Sequence, residues 1–231
     1  IAINDLDEFD ATTPTDTNSG LNAVDENAAS GTTVGLTAFA FDGDATNSVV
    51  SYTLTDDATG RFAIDALTGV ITVVNGSGLN YEAGTSHLVS VRATSVDGSV
   101  SDRVFTINVN DVDEFDVTAV VDSDTGINGV NENAAIGAVV GIAAQASDAD
   151  GTTNAITYTL TNNDGGRFAI DPTTGLVTVA GAIDREVDGA TRTVRVRATS
   201  SDGSTSEATY LINVYDVDEF DVAVTTDLDS M

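Results

Sequence analysis

Apolar and polar residues alternate with a period of two in short runs along this chain, and glycine-bearing turns separate the runs. In the first half they read TVGLTAFAF (33–41), VVSYTLT (49–55), RFAID (61–65), GVITVV (69–74), HLVSVRATS (87–95) and RVFTINVN (103–110), with a further short run near residues 21–24. Period two marks a strand with one face in a core, and Thr and Val suit a pleated, half-buried surface. The turn words ALTG and VDGS supply Gly where the backbone needs positive φ. No segment carries an amphipathic helical stripe of useful length. The alternation nominates Tyr52, Leu54, Phe62, Ile64, Ile71, Val91, Phe105 and Ile107 as core.

The same runs return once. VDENAASGTTVG (24–35) is answered by VNENAAIGAVVG (130–141), GRFAIDALTGVITV (60–73) by GRFAIDPTTGLVTV (166–179), and VRATSVDGSVS (91–101) by VRATSSDGSTS (196–206). An acidic word occurs three times, as NDLDEFDA (4–11), NDVDEFDV (110–117) and YDVDEFDV (215–222), with Phe9, Phe115 and Phe220 spaced 106 and 105 residues apart. A period near 105 is domain-sized rather than solenoid-sized. The organisation expected is therefore residues 1–9 as the tail of a preceding repeat, 10–115 and 116–220 as two whole repeats with their linkers, and 221–231 as the start of another. Seven strands in about 105 residues fit an all-β, immunoglobulin-like Greek-key sandwich, present twice in tandem.

Composition narrows the function. Against 37 Asp and Glu stand 8 basic residues, all Arg, for a net charge of −29. Such a surface repels nucleic acid and anionic lipid and attracts divalent cations. Nucleic-acid partners and direct membrane insertion are not expected, and no 18-residue apolar run is present. The absence of Cys excludes a disulfide framework, so the core or a metal must supply stability. No signal-peptide pattern opens the chain, and any export address is expected to lie outside these residues.

The acids are not scattered at random. Asp111, Asp113, Glu114 and Asp116 fall within six residues, and in extended chain Asp111 and Asp113 would point opposite to Glu114 and Asp116. Two carboxylates about 5 Å apart repel by about 3 kcal/mol at an effective dielectric of about 20, a sign that a multivalent cation reverses. Other acids recur in register at strand ends or loops: Glu26 and Glu132 in EN, Asp42 and Asp44 in FDGD, Asp148 and Asp150 in SDAD, Glu82 in LNYE, and Asp184 and Glu186 in IDRE. An oxygen-only donor set with no Cys and one His favours a hard cation, and crowded carboxylates suit Ca²⁺ better than octahedral Mg²⁺ or zinc.

The ordered set of EN, then DxD followed by Asn and a Tyr strand, then DRE, then VRATS with DG, then an acidic linker resembles the extracellular cadherin repeat in its bacterial cadherin-like form. The resemblance implies a seven-stranded Greek-key sandwich with calcium between successive repeats, stiffening a rod. It implies, for the middle junction, Glu26, Asn80 and Glu82 from the first repeat, Asp111, Asp113, Glu114 and the Phe115 carbonyl from the linker, and Asp148, Asp150 and Asn154 from the second. The half-junctions would use Asp5, Asp7 and Glu8 with Asp42, Asp44 and Asp97, and Glu132, Asp184 and Glu186 with Asp216, Asp218 and Glu219. Three departures stand out. Asn80 replaces the Asp of DRE, the linker reads Asp113-Glu114-Phe115 without the usual Asn-Asp-Asn and Pro, and the later acid of the pattern is Ser95 or Ser200, leaving Asp97 or Asp202 to replace it.

The functional expectation is a calcium-rigidified extender in a cell-surface adhesin, extracellular and monomeric as this fragment, whose partners are neighbouring repeats of the same chain. The alternative is a binding module for homotypic repeats or surface polysaccharide; the lack of Trp and of an evident aromatic platform weighs against it. Catalysis is not expected, because a Ser–His–Asp set would depend on the single His87, which the second repeat lacks. The loop SDADGTTN misses the later acids of an EF-hand. His87 reads as structural, Arg61 and Arg167 as anchors of a turn to local acids, and Asp16, Asp56 and Asp122 as ordinary solvated carboxylates.

Overall fold

The computed structural model describes residues 8–44, 46 and 48–218. Contacts divide the chain into two units, Ile1–Asp113 with Asp150–Thr152, and Glu114–Ala149 with Thr153–Met231. Each is an all-β sandwich.

The first unit contains β1 (Thr15–Asp16), β2 (Ala23–Asp25), β3 (Thr33–Phe39), β4 (Val50–Asp56), β5 (Phe62–Ile64), β6 (Val70–Val73), β7 (Ser86–Ser95) and β8 (Val100–Asn110). One sheet runs β1-β3-β6-β5 and the other β2-β8-β7-β4. The seven expected strands become eight because the opening strand is divided between the sheets: β1 pairs antiparallel with β3, and β2 pairs parallel with β8. Side chains replace the ladder where the chain crosses. Asp16 Oδ1 accepts the N–H groups of Asn18 (2.9 Å) and Thr37 (3.1 Å), and Asn18 Oδ1 accepts that of Gly20 (2.8 Å). Asp16 is thus a turn cap rather than a merely solvated acid. Asp122 repeats the arrangement in the second unit with Asp124 and Ala143.

Alternation sets the core. Tyr52, Phe62, Ile71, Val91, Phe105 and Ile107 are buried as nominated, while Leu54 and Ile64 are half-buried against them. Val34, Leu36, Val89 and Leu79 are among the residues that join them. Leu79 follows a 3₁₀ turn (Gly76–Gly78) and so lies outside any strand pattern. The Tyr52 hydroxyl accepts from the Ala40 N–H (2.9 Å) and donates to the Ala40 carbonyl (3.2 Å), satisfying both buried groups. Two glycines are required by space as well as conformation. Gly35 (φ +75) sits at the register break in β3, where a Cβ would lie 2.1 Å from the Leu21 carbonyl oxygen; at Gly69 (φ +69) it would lie 2.0 Å from that of Ala38.

The second unit contains β9 (Val121–Asp122), β10 (Gly129–Asn131), β11 (Val139–Gln145), β12 (Thr157–Asn162), β13 (Phe168–Ile170), β14 (Leu176–Val179), a one-turn helix α1 (Arg185–Asp188), β15 (Thr191–Thr199) and β16 (Thr205–Tyr215). Its sheets, β9-β11-β14-β13 and β10-β16-β15-β12, copy those of the first unit. Ile142, Phe168, Val177, Val194, Val196 and Ile212 fill the core.

The arginine preceding Phe differs between the units. Arg167 meets an acid as expected, with Nη2 2.5 Å from Asp188 Oδ1. Arg61 instead donates to the carbonyls of Gly78 (2.6 Å) and Ala58 (2.7 Å) and to the Thr59 hydroxyl, because the segment before β7 reads Glu82-Ala83-Gly84 and has no counterpart of Asp188.

Candidate metal centre

The parallel pairing of β2 with β8 sets the first cluster. It leads the chain to Glu26, whose N–H donates to the Asn110 carbonyl (3.0 Å). The Glu26 side chain is only 2% exposed. Its Oε2 accepts the Tyr81 N–H and its Oε1 the Val112 N–H, both at 2.8 Å. Glu26, Glu82 and Asp111 each offer a carboxylate oxygen, all within 4.8 Å of one another. Within the same unit Glu82 accepts the Gly151 N–H (2.9 Å) and Asp111 Oδ2 the Thr152 N–H (2.8 Å). The Thr152 hydroxyl, aided by its N–H and opposed by burial, holds the Asp111 carboxyl below the usual aspartate range. Asp111 Oδ1 is buried without a hydrogen-bond partner.

The second unit builds the counterpart on the pairing of β10 with β16. The Glu132 N–H donates to the Tyr215 carbonyl (3.0 Å), and its carboxylate accepts the N–H groups of Arg185 (2.6 Å) and Val217 (2.7 Å). Glu132, Glu186 and Asp216 place oxygens within 4.8 Å of one another. The Val217 N–H, then that of Arg185, hold Glu132 below the ordinary glutamate value. At Glu186 its own backbone N–H pulls the pKa down, but burial and then the Glu132 charge outweigh it and leave the carboxyl raised. Without a cation, Glu186 therefore gives up its proton less readily than an isolated glutamate. The Arg185 guanidinium approaches Asp216 to 3.6 Å.

A third cluster, within the first unit, joins Asp42, Asp44 and Asp97, with oxygens again inside 4.8 Å. Asp44 accepts the N–H groups of Glu8 (3.1 Å) and Phe9 (3.3 Å), Asp42 Oδ1 that of Asp44 (3.1 Å), and Asp97 Oδ1 that of Ser99 (2.6 Å). Asp42 Oδ2 and Asp97 Oδ2 are buried and unpartnered. Asp97 thus stands beside the DxD pair while Ser95, at the acid's usual place, is buried. Asp202 holds the Ser204 N–H (2.6 Å) as Asp97 holds that of Ser99.

Other nominated residues do different work. Asn80 Oδ1 accepts the Ala83 N–H (2.6 Å), and Asp184 caps α1 by accepting the Val187 N–H (2.9 Å). In the DRE segment it is Glu82 and Glu186 that join the buried glutamate. Asp113, Glu114 and Phe115 lie on the exposed chain after β8, Asp148 is half-buried, Asp150 is 1% exposed, and Asn154 and Asp218 are exposed. Asp5, Asp7 and Glu219 lie outside the described residues. The sequence gives no sign of the backbone N–H groups of Tyr81, Val112, Arg185 and Val217 that aim the two glutamates, because every residue but Pro carries that donor.

These residues fit a hard divalent cation. The donors are all oxygen, and carboxylates crowd inside 4.8 Å. Buried carboxylate oxygens of Asp42, Asp97 and Asp111 lack the partner that burial normally demands.

Fold and site together define a tandem array of β-sandwich repeats bearing oxygen-rich acidic clusters. The chain belongs to the cadherin domain family, whose domain model matches residues 22–114 and again 129–215. It is 36% identical over 180 residues to human Protocadherin Fat 1, covering 75% of this chain and 4% of that protein. It is 35% identical over 179 residues to human Protocadherin-17, covering 72% and 15%. The chain therefore spans a small fraction of the relatives it matches. Among solved structures it resembles mouse Cadherin-23 EC22-24 (TM-score 0.67, 27% identity, 92% of this chain and 67% of that one). The fold also matches the Protocadherin GammaB4 extracellular domain (TM-score 0.72, 21% identity, 93% and 34%). Cadherin domains are extracellular modules that generally bind Ca²⁺. The relatives named are mammalian, and a bacterial source rests on the sequence resemblance alone.

Proposed function

We propose that this chain is a pair of calcium-binding extender repeats from a large, bacterial-type cell-surface adhesin, with boundaries at 10–115 and 116–220. Calcium held around the linker stiffens the array so that it can project a binding tip. At the middle junction the ligands are Glu26, Glu82, Asp111, Asp113, Glu114, the Phe115 carbonyl, Asp148, Asp150 and Asp202, with Asn80 and Asn154 as neutral oxygens. When bound, the ion supplies positive charge that turns mutual repulsion into shared coordination. The protein's own part is to aim the carboxylates.

The observation that carries this reading is the recurrence of one device. In both units a buried glutamate, Glu26 or Glu132, is clamped by two backbone N–H groups and faces two further acids. Each clamp holds a buried carboxylate against two others, an arrangement that carries like-charge repulsion unless a cation offsets it. Carboxylate-rich sites of modest affinity match extracellular rather than cytosolic calcium.

Small-angle scattering and thermal melting of the chain, with calcium and with chelator, test it. An elongated particle with a raised melting temperature is expected in calcium. Unchanged shape and stability would refute it, and calcium-dependent self-association at micromolar protein would favour an adhesive module instead.

A further inference from the structure

The two units differ at one partly buried position. On β7 His87 follows the inward-facing register of Val89 and Val91, opposite Ile107 of β8, with its ring 6.2 Å from that of Phe62. Its Nε2 is buried and has no hydrogen-bond partner. The charge that acts on it is Arg61, whose guanidinium is spent on carbonyls and a hydroxyl rather than on an acid. The acids of the neighbouring turn are committed elsewhere: Asp56 Oδ1 accepts the Ala58 N–H (3.0 Å) and Asp57 Oδ1 the Gly60 N–H (2.8 Å).

In the second unit the matching words TSHLVSV and ATRTVRV put Arg192 at this position. There the charge is provided for. Arg192 Nε lies 2.5 Å from Asp164 Oδ2 and its Nη1 3.9 Å from Asp188 Oδ1, and Arg167 shares Asp188. Asp164 corresponds to Ala58, in the same left-handed turn (φ 54° and 56°). The first unit thus keeps the cation-facing architecture with neither acid.

We infer that His87 makes the first unit acid-labile in the range where histidine titrates, a loss that the second unit, with a paired Arg192 at this position, does not undergo. A proton on His87 finds an apolar ring and a like charge instead of a partner. Burial, then Arg61, lowers its pKa from the ordinary 6.5. Depression of a folded-state pKa gives stability that is complete above the unfolded value and is lost as pH falls toward the folded one, so the window opens below about 6.5. The chain has no second histidine; ordinary carboxylates titrate lower, and Glu186, the carboxyl held up in the second unit, acts in the opposite sense, adding stability as pH falls. Acidified surroundings would soften one repeat of the array and spare its neighbour.

The test uses the whole chain at fixed millimolar calcium. Hydrogen exchange is followed by NMR between pH 7.5 and 5, at Val89, Val91 and Ile107 for the first unit and at Val194, Val196 and Ile212 for the second. The His87 ring is titrated in the same samples. After correction for intrinsic exchange, protection of the first set should fall by up to tenfold per pH unit below about 6.5, the limit for one proton, while that of the second set does not fall. His87→Gln should abolish the fall. Ala58→Asp, which restores the missing carboxylate in a turn that Asp tolerates, should raise the His87 titration and shrink the fall. Titration of wild-type His87 at or above 6.5, or an undiminished fall in His87→Gln, would overturn the inference; the wild-type titration decides it even if a variant fails to fold.

Discussion

Replacing Glu26 with Gln separates two roles that the wild-type carboxylate combines. In chelator the substitution loses one acceptor, since Gln has a single carbonyl oxygen for the N–H groups of Tyr81 and Val112. A buried donor left unsatisfied costs about 1–3 kcal/mol. Against this, two like-charge pairs disappear, those of Glu26 with Glu82 and with Asp111, whose oxygens lie within 4.8 Å. Each such pair is worth about 3 kcal/mol at an effective dielectric of about 20, and exposure of Glu82 reduces that to about 1 kcal/mol or less. The opposing terms nearly cancel, so wild type and Glu26→Gln should melt within about 5 °C of each other without calcium. In about 10 mM calcium, against a dissociation constant of about 0.1 mM, the ion adds about 2.7 kcal/mol, or about 10 °C or more for a domain of this size. A variant bound tenfold or more weakly would keep about half of that gain or less. Differential scanning calorimetry with and without calcium reads both terms. An equal calcium shift in the variant would remove Glu26 from the ligand set, and a loss above about 15 °C in chelator would make it a structural clamp first.

Three further outcomes follow from the same geometry. Two N–H groups hold Glu132 below its ordinary pKa of 4.5, so its contribution is complete above that value and is lost as pH falls through the lower folded value. Acid unfolding monitored by circular dichroism should therefore be shallower below pH about 4.5 in Glu132→Gln, and identical curves would contradict this. Tyr52→Phe strips both groups of Ala40 of their partner and should cost about 1–3 kcal/mol in urea unfolding, whereas Tyr158→Phe, which serves only the Ala146 N–H (2.9 Å), should cost less. Gly69→Ala should destabilise the first unit by more than about 3 kcal/mol because its Cβ would meet the Ala38 carbonyl oxygen at 2.0 Å, while Gly31→Ala, with open space around it, should cost about 1 kcal/mol; equal costs would mean that φ alone matters.

Period-two alternation made the sandwich legible because it records which side of each strand is wet. It found Phe62, Ile71, Val91 and Ile107, and it passed over Leu79, which reaches the core from a 3₁₀ turn with no period to betray it. The division of the opening strand between two sheets was invisible, since Asp16 and Asp122, which make that crossing with side-chain bonds, resemble ordinary surface acids until the N–H groups that donate to them are seen. Candidate ligands were legible as recurring words, but not their division of labour. Asn80 and Asp184 share a place in the DRE segment and share a job, capping the turn that carries Glu82 and Glu186 to the buried glutamate. An Asn can perform that job without charge, which explains why the first repeat tolerates the departure.

That division bears on how a cation would couple to the fold. Glu26 and Glu132 are clamped by N–H groups drawn from two places far apart in sequence: Tyr81 and Val112 for one, Arg185 and Val217 for the other. Each glutamate therefore ties the turn before β7 or β15 to the chain leaving β8 or β16. An ion drawn to these carboxylates competes for lone pairs already engaged by N–H groups, yet a carboxylate oxygen has two, so both can be served. The clamp fixes the oxygens before the ion arrives, and preorganisation of this kind lowers the ordering cost of binding. What it leaves is the repulsion among the three acids, which Arg185 eases at Asp216 of the second cluster and which a bound cation would turn into shared coordination.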